Sequence, residues 1–405
     1  MHARPYLTAD LPGIGGTVKH RYEDFQVHEI PRYEPSGTGT HTYFCVEKAG
    51  LTTEQAVRRI ASALNVRPRD VGYAGLKDAH AVTRQVLSLE HVDPQSVERL
   101  DLPGIRILWV NRHTNKLKLG HLAGNRFTVL VRDADDFSVE PVRAVLDVLA
   151  RRGMPNYFGR QRFGHRGHNA EVGLAALGGD FDEALAVMLG RPGEADTGAV
   201  LTARQHVERG DYLAAADTWP AAFDHERRAC RALARCGDAR RAWQSLDWKA
   251  RRLYLSALQS DLFNRVVAAR IENLDRLMTG DLAVKHVNGV VFPVADSRTE
   301  QPRCEAFEIS PTGPLFGRKM RQPTGLPFDV EARALAEAGL SPTAFTEKAA
   351  ERMDGTRRPL RVRPQDAEAD TGRDDDGPYV RIRFSLPPGA YATTLLREVC
   401  KTDSM

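Results

Sequence analysis

Apolar and polar residues alternate along Arg126-Phe-Thr-Val-Leu-Val-Arg132, the pattern of a strand with one buried face. The same period returns near the end of the chain. There Val380, Ile382, Phe384 and Leu386 fall on one side and Arg381 and Arg383 on the other. Val18 to Ile30 predicts an extended segment, and Thr42 to Lys48 a further strand. Thr52 with Gln55 three residues on predicts a capped helix start. Ala56, Val57, Ile60, Ala61 and Leu64 then share a helical face. Val139 to Gly153 is predicted helical. Gly178 to Asp238 is rich in Ala and Arg at helical spacing, and a helix near 249–270 carries the stripe Leu255, Leu258, Leu262, Val266 and Val267. Leu282 to Val294 predicts a hairpin around Asn288-Gly289. Gly313-Pro-Leu-Phe-Gly317 predicts a turn-rich loop. Ala367 to Gly377, acidic and poor in apolar residues, predicts a mobile linker. There is no internal repeat.

A chain of 405 residues, 42% of them apolar, has room for two or more domains with cores of their own. No run of about 18 apolar residues is present, so no membrane span is expected. The opening Met1-His-Ala-Arg-Pro-Tyr lacks the apolar stretch of a signal peptide. The five cysteines form no Cys-x-x-Cys pair, so neither a zinc site nor a disulfide framework is expected. The expectation is a soluble cytoplasmic protein. Net charge is only +4, so any affinity for nucleic acid must come from local patches. Only 10 of the 57 cations are Lys. Base composition explains that arginine excess as readily as RNA binding does, although guanidinium groups suit phosphates and base faces.

Two segments carry candidate chemistry. Gly72-Tyr-Ala-Gly-Leu-Lys-Asp-Ala-His-Ala-Val-Thr-Arg-Gln85 sets a single carboxylate, Asp78, among glycines that permit tight turns and close approach to a ligand. Lys77 and Arg84 bring positive charge that favours an ionised Asp78. An ionised carboxylate with no acidic neighbour in the segment suits a nucleophile better than half of an acid–base pair. Taken alone, Gly followed by Lys-Asp is an ordinary surface turn. The second segment, Arg151 to His168, interleaves five arginines and two histidines with Tyr157, Phe158 and Phe163. Such a mixture holds phosphates and stacks on bases, or else forms an aromatic loop with solvated arginines. His165 and His168 have no Cys or carboxylate at useful spacing, so no metal site is expected there.

The Asp78 segment resembles the active-site signature of the TruD family of tRNA pseudouridine synthases, Gly-Leu-Lys-Asp-x-x-Ala-Val-Thr-x-Gln. Asn156-Tyr-Phe-Gly-Arg-Gln-Arg-Phe-Gly164 resembles a second hallmark of that family. Tyr22-Glu-Asp-Phe-Gln-Val-His-Glu29 and Leu386-Pro-Pro-Gly-Ala-Tyr-Ala-Thr-Thr-Leu-Leu-Arg-Glu398 resemble a third and a fourth. The resemblance runs the length of the chain in order. It implies an α+β fold: a pseudouridine-synthase catalytic domain with a mixed, largely antiparallel sheet, interrupted by a smaller α/β insertion (TRUD) domain. The catalytic domain is expected at 1–181 and 361–405, the insertion at 182–360. It implies isomerisation of uridine 13 of tRNA to pseudouridine, with Asp78 catalytic and Phe25, Asn156, Phe158 and Tyr391 binding the nucleotide. The candidate charge partners of Asp78 are Lys19, Lys77 and Arg84. The reaction is redox-neutral, so no cofactor or metal is expected. tRNA is the expected partner, with no obligate protein partner. Asp78 has three targets open to it: C6 of the base, C1′ of the ribose, or a proton on C2′. The alternative from another class is an RNA-binding, tRNA-folding chaperone that needs no catalysis. A base-removing glycosidase, which would release free uracil, is a third reading.

Overall fold

The computed structural model describes residues 4–135, 137–347 and 353–402. It divides into two compact units, one of Tyr6–Met154 with Val362–Met405 and one of Met1–Pro5 with Pro155–Arg361. The class is α+β. The segment expected as an insertion, 182–360, lies wholly inside the second unit.

A nine-stranded sheet forms the first unit. Seven strands run in the order Gln365–Asp374, Gly377–Leu386, Leu122–Ala134, Phe25–Pro31, Val82–Glu90, His41–Ala49, Ile105–His113. Gly15–Val18 adds to Leu122–Ala134, and Gly72–Tyr73 adds to Val82–Glu90. Phe25–Pro31 and Val82–Glu90 pair in parallel, while the other pairings in this sheet are antiparallel. The predicted stripe is real: Val380, Ile382, Phe384 and Leu386 are all buried. The Phe384 ring stacks on Phe127 at 5.2 Å, and Phe25 meets Phe127 edge-on at 6.2 Å. Burying a side chain of that size contributes about 1.5–3 kcal/mol. The Thr52–Gln55 capping box forms as predicted and starts the helix Thr53–Ala63. That helix lays Val57, Ile60 and Ala61 on Phe44, Val46, Leu87 and Leu89 of the sheet.

Three expectations change. The supposed linker at 367–377 is an edge strand and turn: Gln365–Asp374 pairs antiparallel with Gly377–Leu386. Its acidic residues face cations across the strand gap, Glu368 with Arg383 at 2.6 Å and Asp370 with Arg381 at 2.7 Å. Opposite charges directly across a ladder stabilise it. Val18 to Ile30 is not one extended segment. Lys19 takes φ +65°, and a 3₁₀ turn at Tyr22–Asp24 separates Gly15–Val18 from Phe25–Pro31. Gly313 and Pro314 lie within the strand Ile309–Leu315 rather than in a loop. A Cβ on Gly313 would stand 2.7 Å from Leu360 and 3.0 Å from Phe263.

In the second unit, Val291–Pro293, Leu282–Lys285, Ile309–Leu315 and Thr356–Pro359 form an antiparallel sheet in that order. The hairpin turn falls at Asn288-Gly289, with Gly289 at φ +73°. The Ala/Arg-rich stretch folds into short helices: Phe181–Leu189, Gly198–Glu208, Tyr212–Thr218 and Asp224–Cys236. Asp180, Asp211, Asp238 and Asp247 each cap a helix in this region by accepting a backbone N–H three residues on. Trp219, Cys230, Trp243 and Tyr254 fill the core between those helices. The long helix Trp248–Ala269 buries every residue of its predicted stripe.

The two glycines that lead into Asp78 do different work. A Cβ on Gly72 would sit 2.4 Å from the Leu117 carbonyl and 2.5 Å from Ser88 Oγ, whereas one on Gly75 meets nothing nearer than Lys77 Nζ at 3.5 Å. Gly72→Ala should therefore lower unfolding free energy by about 1–3 kcal/mol, and Gly75→Ala should change it by less than about 0.5 kcal/mol. Urea denaturation of both variants checks this. Equal losses would remove the packing role from Gly72.

Candidate active site

Asp78 stands on the loop between Gly72–Tyr73 and Val82–Glu90. The loop is fastened from below. Lys77 N–H donates to Thr53 Oγ1 at 2.9 Å, and Thr53 Oγ1 donates to Gln85 Oε1 at 2.8 Å. Lys48 Nζ donates to the Asp78 carbonyl at 3.2 Å and to the Leu51 carbonyl at 2.5 Å. The Asp78 side chain keeps 39% of its surface exposed, open to a ligand. Lys19 Nζ lies 3.0 Å from its Oδ2 and 4.4 Å from the centre of the buried Phe25 ring. Carboxylate, ammonium and aromatic face thus form one group. An exposed pair of this kind adds little stability, about 0–1 kcal/mol. What it supplies is a fixed positive charge beside the Asp78 carboxylate.

The three candidate charge partners separate clearly. Lys19 is on the Asp78 carboxylate. Lys77 turns inward, away from the Asp78 carboxylate, and meets Glu29 at 2.8 Å and Asn125 Oδ1 at 2.7 Å. Arg84 pairs with Glu47 at 2.7 Å. A fourth cation, Lys48, escaped the sequence reading because nothing in a strand pattern marks a lysine as buried. The residue is 1% exposed. Burial pushes its pKa down to about 8, against the upward pull of Asp78 and with a further push down from Lys77.

Tyr391 is half-buried at the N-terminal cap of the helix Ala392–Cys400, in the same unit as Asp78 and Phe25. Asn156 and Phe158 belong to the other unit. Asn156 is buried, its Nδ2 donating to the Pro359 carbonyl at 2.8 Å and its Oδ1 accepting from Arg358 Nη2 at 2.5 Å. Phe158 is buried edge-on against Phe263, with the Arg358 guanidinium 4.3 Å from its ring centre. Asn264 grips its backbone from both sides: Phe158 N–H donates to Asn264 Oδ1 at 2.8 Å, and Asn264 Nδ2 donates to the Phe158 carbonyl at 3.2 Å. Asn264 is a buried polar residue of the helix Trp248–Ala269, set off its apolar stripe, and no sequence pattern marks it. The arginine cluster is less available than its composition suggests. Arg166 donates to the carbonyls of Val187, Gly190 and Arg191 and lies 3.5 Å from Asp196, and Arg162 donates to Ser260. Arg160 remains exposed. Among the described residues no cluster of three or more His, Cys, Asp or Glu is placed to hold a metal ion.

The chain is similar to known proteins over its whole length. The family model described as tRNA pseudouridine synthase D (TruD) matches residues 2–399. A protein of Geobacter sulfurreducens named tRNA pseudouridine synthase D is 47% identical, over 99% of this chain and 97% of its own. One of the same name from Anaeromyxobacter dehalogenans is 39% identical, over 99% and 97%. A crystal structure from Methanosarcina mazei, assigned to tRNA pseudouridine synthase D, superposes with a TM-score of 0.83 at 28% identity, covering 98% of this chain and 96% of that one.

The depressed Lys48 value yields a pH prediction. Between about 8 and the usual 10.5 the unfolded chain holds this proton and the folded chain does not. Stability contributed by this group therefore rises with pH across that window. The unfolding free energy of the wild type minus that of Lys48→Met should increase by about 1–3 kcal/mol from pH 7.5 to pH 10. Urea titrations at both pH values test it. A difference that stays flat or falls would show that burial does not depress Lys48.

Proposed function

Because the chain belongs to the tRNA pseudouridine synthase D (TruD) family, we propose that it isomerises uridine 13 of tRNA to pseudouridine with Asp78 as the catalytic carboxylate. One observation carries the assignment of Asp78: an exposed carboxylate held against Lys19 over the Phe25 ring, on a loop tied down through Lys48 and Thr53. The reaction breaks the bond from uracil N1 to C1′, turns the base, and joins C5 to C1′. The C5 proton is lost and N1 gains one, so nothing is oxidised or reduced. A detached uracil must be kept from diffusing away and from water during the turn, which an aromatic surface such as Phe25 favours. The target leaves its stack first, at a cost of a few kcal/mol that contacts to the flanking RNA offset. On this reading Tyr391, Asn156 and Phe158 also contact the nucleotide. Asn156 then exchanges Arg358 or Pro359 for the RNA. The segment 182–360 is the family's insertion, and the remainder is the catalytic domain. tRNA is the partner and the cytoplasm the place of work. Among the described residues no helix is long and apolar enough to cross a membrane.

The enzyme names of the relatives favour this reading over a tRNA-folding chaperone. Asp78→Asn distinguishes them. It keeps the shape of the side chain and removes its charge. With unmodified tRNA in excess enzyme, the wild type should convert one uridine per molecule. The variant should be slower by at least about a thousandfold, roughly 4 kcal/mol in barrier, while binding RNA within about twofold. Turnover by the variant within about tenfold of wild type would falsify the role of Asp78. Release of free uracil by the wild type would instead indicate a base-removing glycosidase.

A further inference from the structure

Lys19 is held in an unfavourable conformation, and the residues that hold it there lie far away in sequence. At φ +65° it occupies the left-handed region, which an unbranched residue other than Gly, Asn or Asp enters only at some cost. Such a conformation persists only where the flanking chain is fixed on both sides. Upstream, Thr17 and Val18 pair with Arg132 and Val131, and Thr17 Oγ1 donates to Asp133 at 3.0 Å. Downstream, the 3₁₀ turn at Tyr22–Asp24 is closed by Arg21 N–H donating to Asp24 Oδ2 at 3.1 Å. Asp24 is wholly buried, and its carboxylate is gripped by Arg132 through Nε at 2.9 Å and Nη2 at 2.8 Å. The bridge Lys19-His20-Arg21 is thus pinned at both ends to one residue, Arg132.

Arg132 is itself completed from the far end of the chain. Its Nη1 and Nη2 donate to the two oxygens of Asp374 at 2.9 and 2.7 Å. Asp374 Oδ2 also accepts from Arg21 Nη2 at 2.7 Å, and Asp376 lies 2.7 Å from Arg21 Nη1. Tyr379 places its ring 5.7 Å from the Arg132 guanidinium. The hydrogen bonds from Arg132 hold the Asp374 carboxyl well below the usual carboxylate range. At Asp24, burial pulls upward, but the Arg132 hydrogen bonds, the Arg21 N–H and both positive charges outweigh it. The cluster sets two arginines against three carboxylates.

We infer that Asp374 and Arg132 are positioning residues for the reaction: through Asp24 and Arg21 they set the place of the Lys19 ammonium on Asp78. Neither is a catalytic residue, since each acts through the Lys19 bridge. This rests on the reading of Asp78 as the catalytic carboxylate. It assigns a role in catalysis to the acidic turn of the C-terminal hairpin.

The test is a double-mutant cycle on single-turnover pseudouridine formation, using the full chain and unmodified tRNA. Asp374→Asn should slow the reaction by about tenfold or more, with RNA affinity changed by less than about twofold. Asp376→Asn, which changes a side chain that meets Arg21 Nη1 and leaves the backbone N–H that Asp376 donates to Asp374 in place, should slow it by less than about threefold. In a Lys19→Met background, already slow, Asp374→Asn should change the rate by less than about twofold, because the group it positions is gone. A purely structural role would give the same loss in both backgrounds, and that result overturns the inference. So does an unchanged rate in Asp374→Asn alone. Melting curves accompany every variant. If Asp374→Asn does not fold, Arg21→Gln, which leaves both Arg132 pairs in place, takes its position in the cycle. Wild type and Asp78→Asn run alongside: a wild type that makes no pseudouridine defeats the reading of the reaction, whereas an active wild type with an additive cycle defeats only the positioning role.

Discussion

Phe25–Pro31 and Val82–Glu90 run parallel, with Gln26 opposite Val82, in a sheet whose other pairings are antiparallel. Parallel neighbours begin at the same edge. The segment entering one strand, with Lys19, and the segment entering the other, with Asp78, are therefore delivered to the same place. An antiparallel pairing of the same two strands would have put them a strand length apart. That one choice of direction makes the Lys19–Asp78 pair available. The capped helix Thr53–Ala63 then fastens the second loop through Thr53, and the antiparallel neighbour Leu122–Ala134 fastens the first through Arg132.

The charges around Asp78 show how a small site divides like residues among unlike tasks. Lys19 is partly exposed and meets the carboxylate. Lys77 is buried and neutralises Glu29, a structural pair whose removal on one side would strand a buried charge. Lys48 is buried on two carbonyls. Two of the three therefore lie buried, and one meets the Asp78 carboxylate.

Much of the fold was legible because it is periodic. The stripe on Gly377–Leu386, the face of Trp248–Ala269 and the Thr52–Gln55 cap were predicted as they stand. Asp78 was marked by its motif. The acidic run before Gly377 was misread because its composition matches a solvated tail. What makes it a strand is Arg381 and Arg383 across the ladder, and a window of sequence does not contain its own cross-strand partner. Lys19 could not be separated from Lys77 and Arg84, because proximity along the chain says little about which face a side chain takes. Arg132 looked like the polar end of a strand, and its partners lie 108 and 242 residues away. The arginines at 162 and 166 read either as phosphate ligands or as solvated side chains, and in the fold they donate to hydroxyl and carbonyl groups.

The separation of 242 residues between Arg132 and Asp374 also has a meaning in time. A ribosome adds on the order of 5–20 residues per second. The half of the sheet that carries Lys19 and Asp78 therefore emerges on the order of 10–50 s before the hairpin that closes the arginine cluster. During that interval Leu122–Ala134 has an unpaired edge, Phe127 lacks the ring it stacks on, and Arg132 has only one of its two carboxylates. The nascent chain thus holds Lys19 and Asp78 early and the Arg132–Asp374 pair late. An exposed sheet edge with an apolar face is also a template for unwanted pairing. Until that hairpin emerges, the sheet depends on whatever keeps that edge from finding another strand.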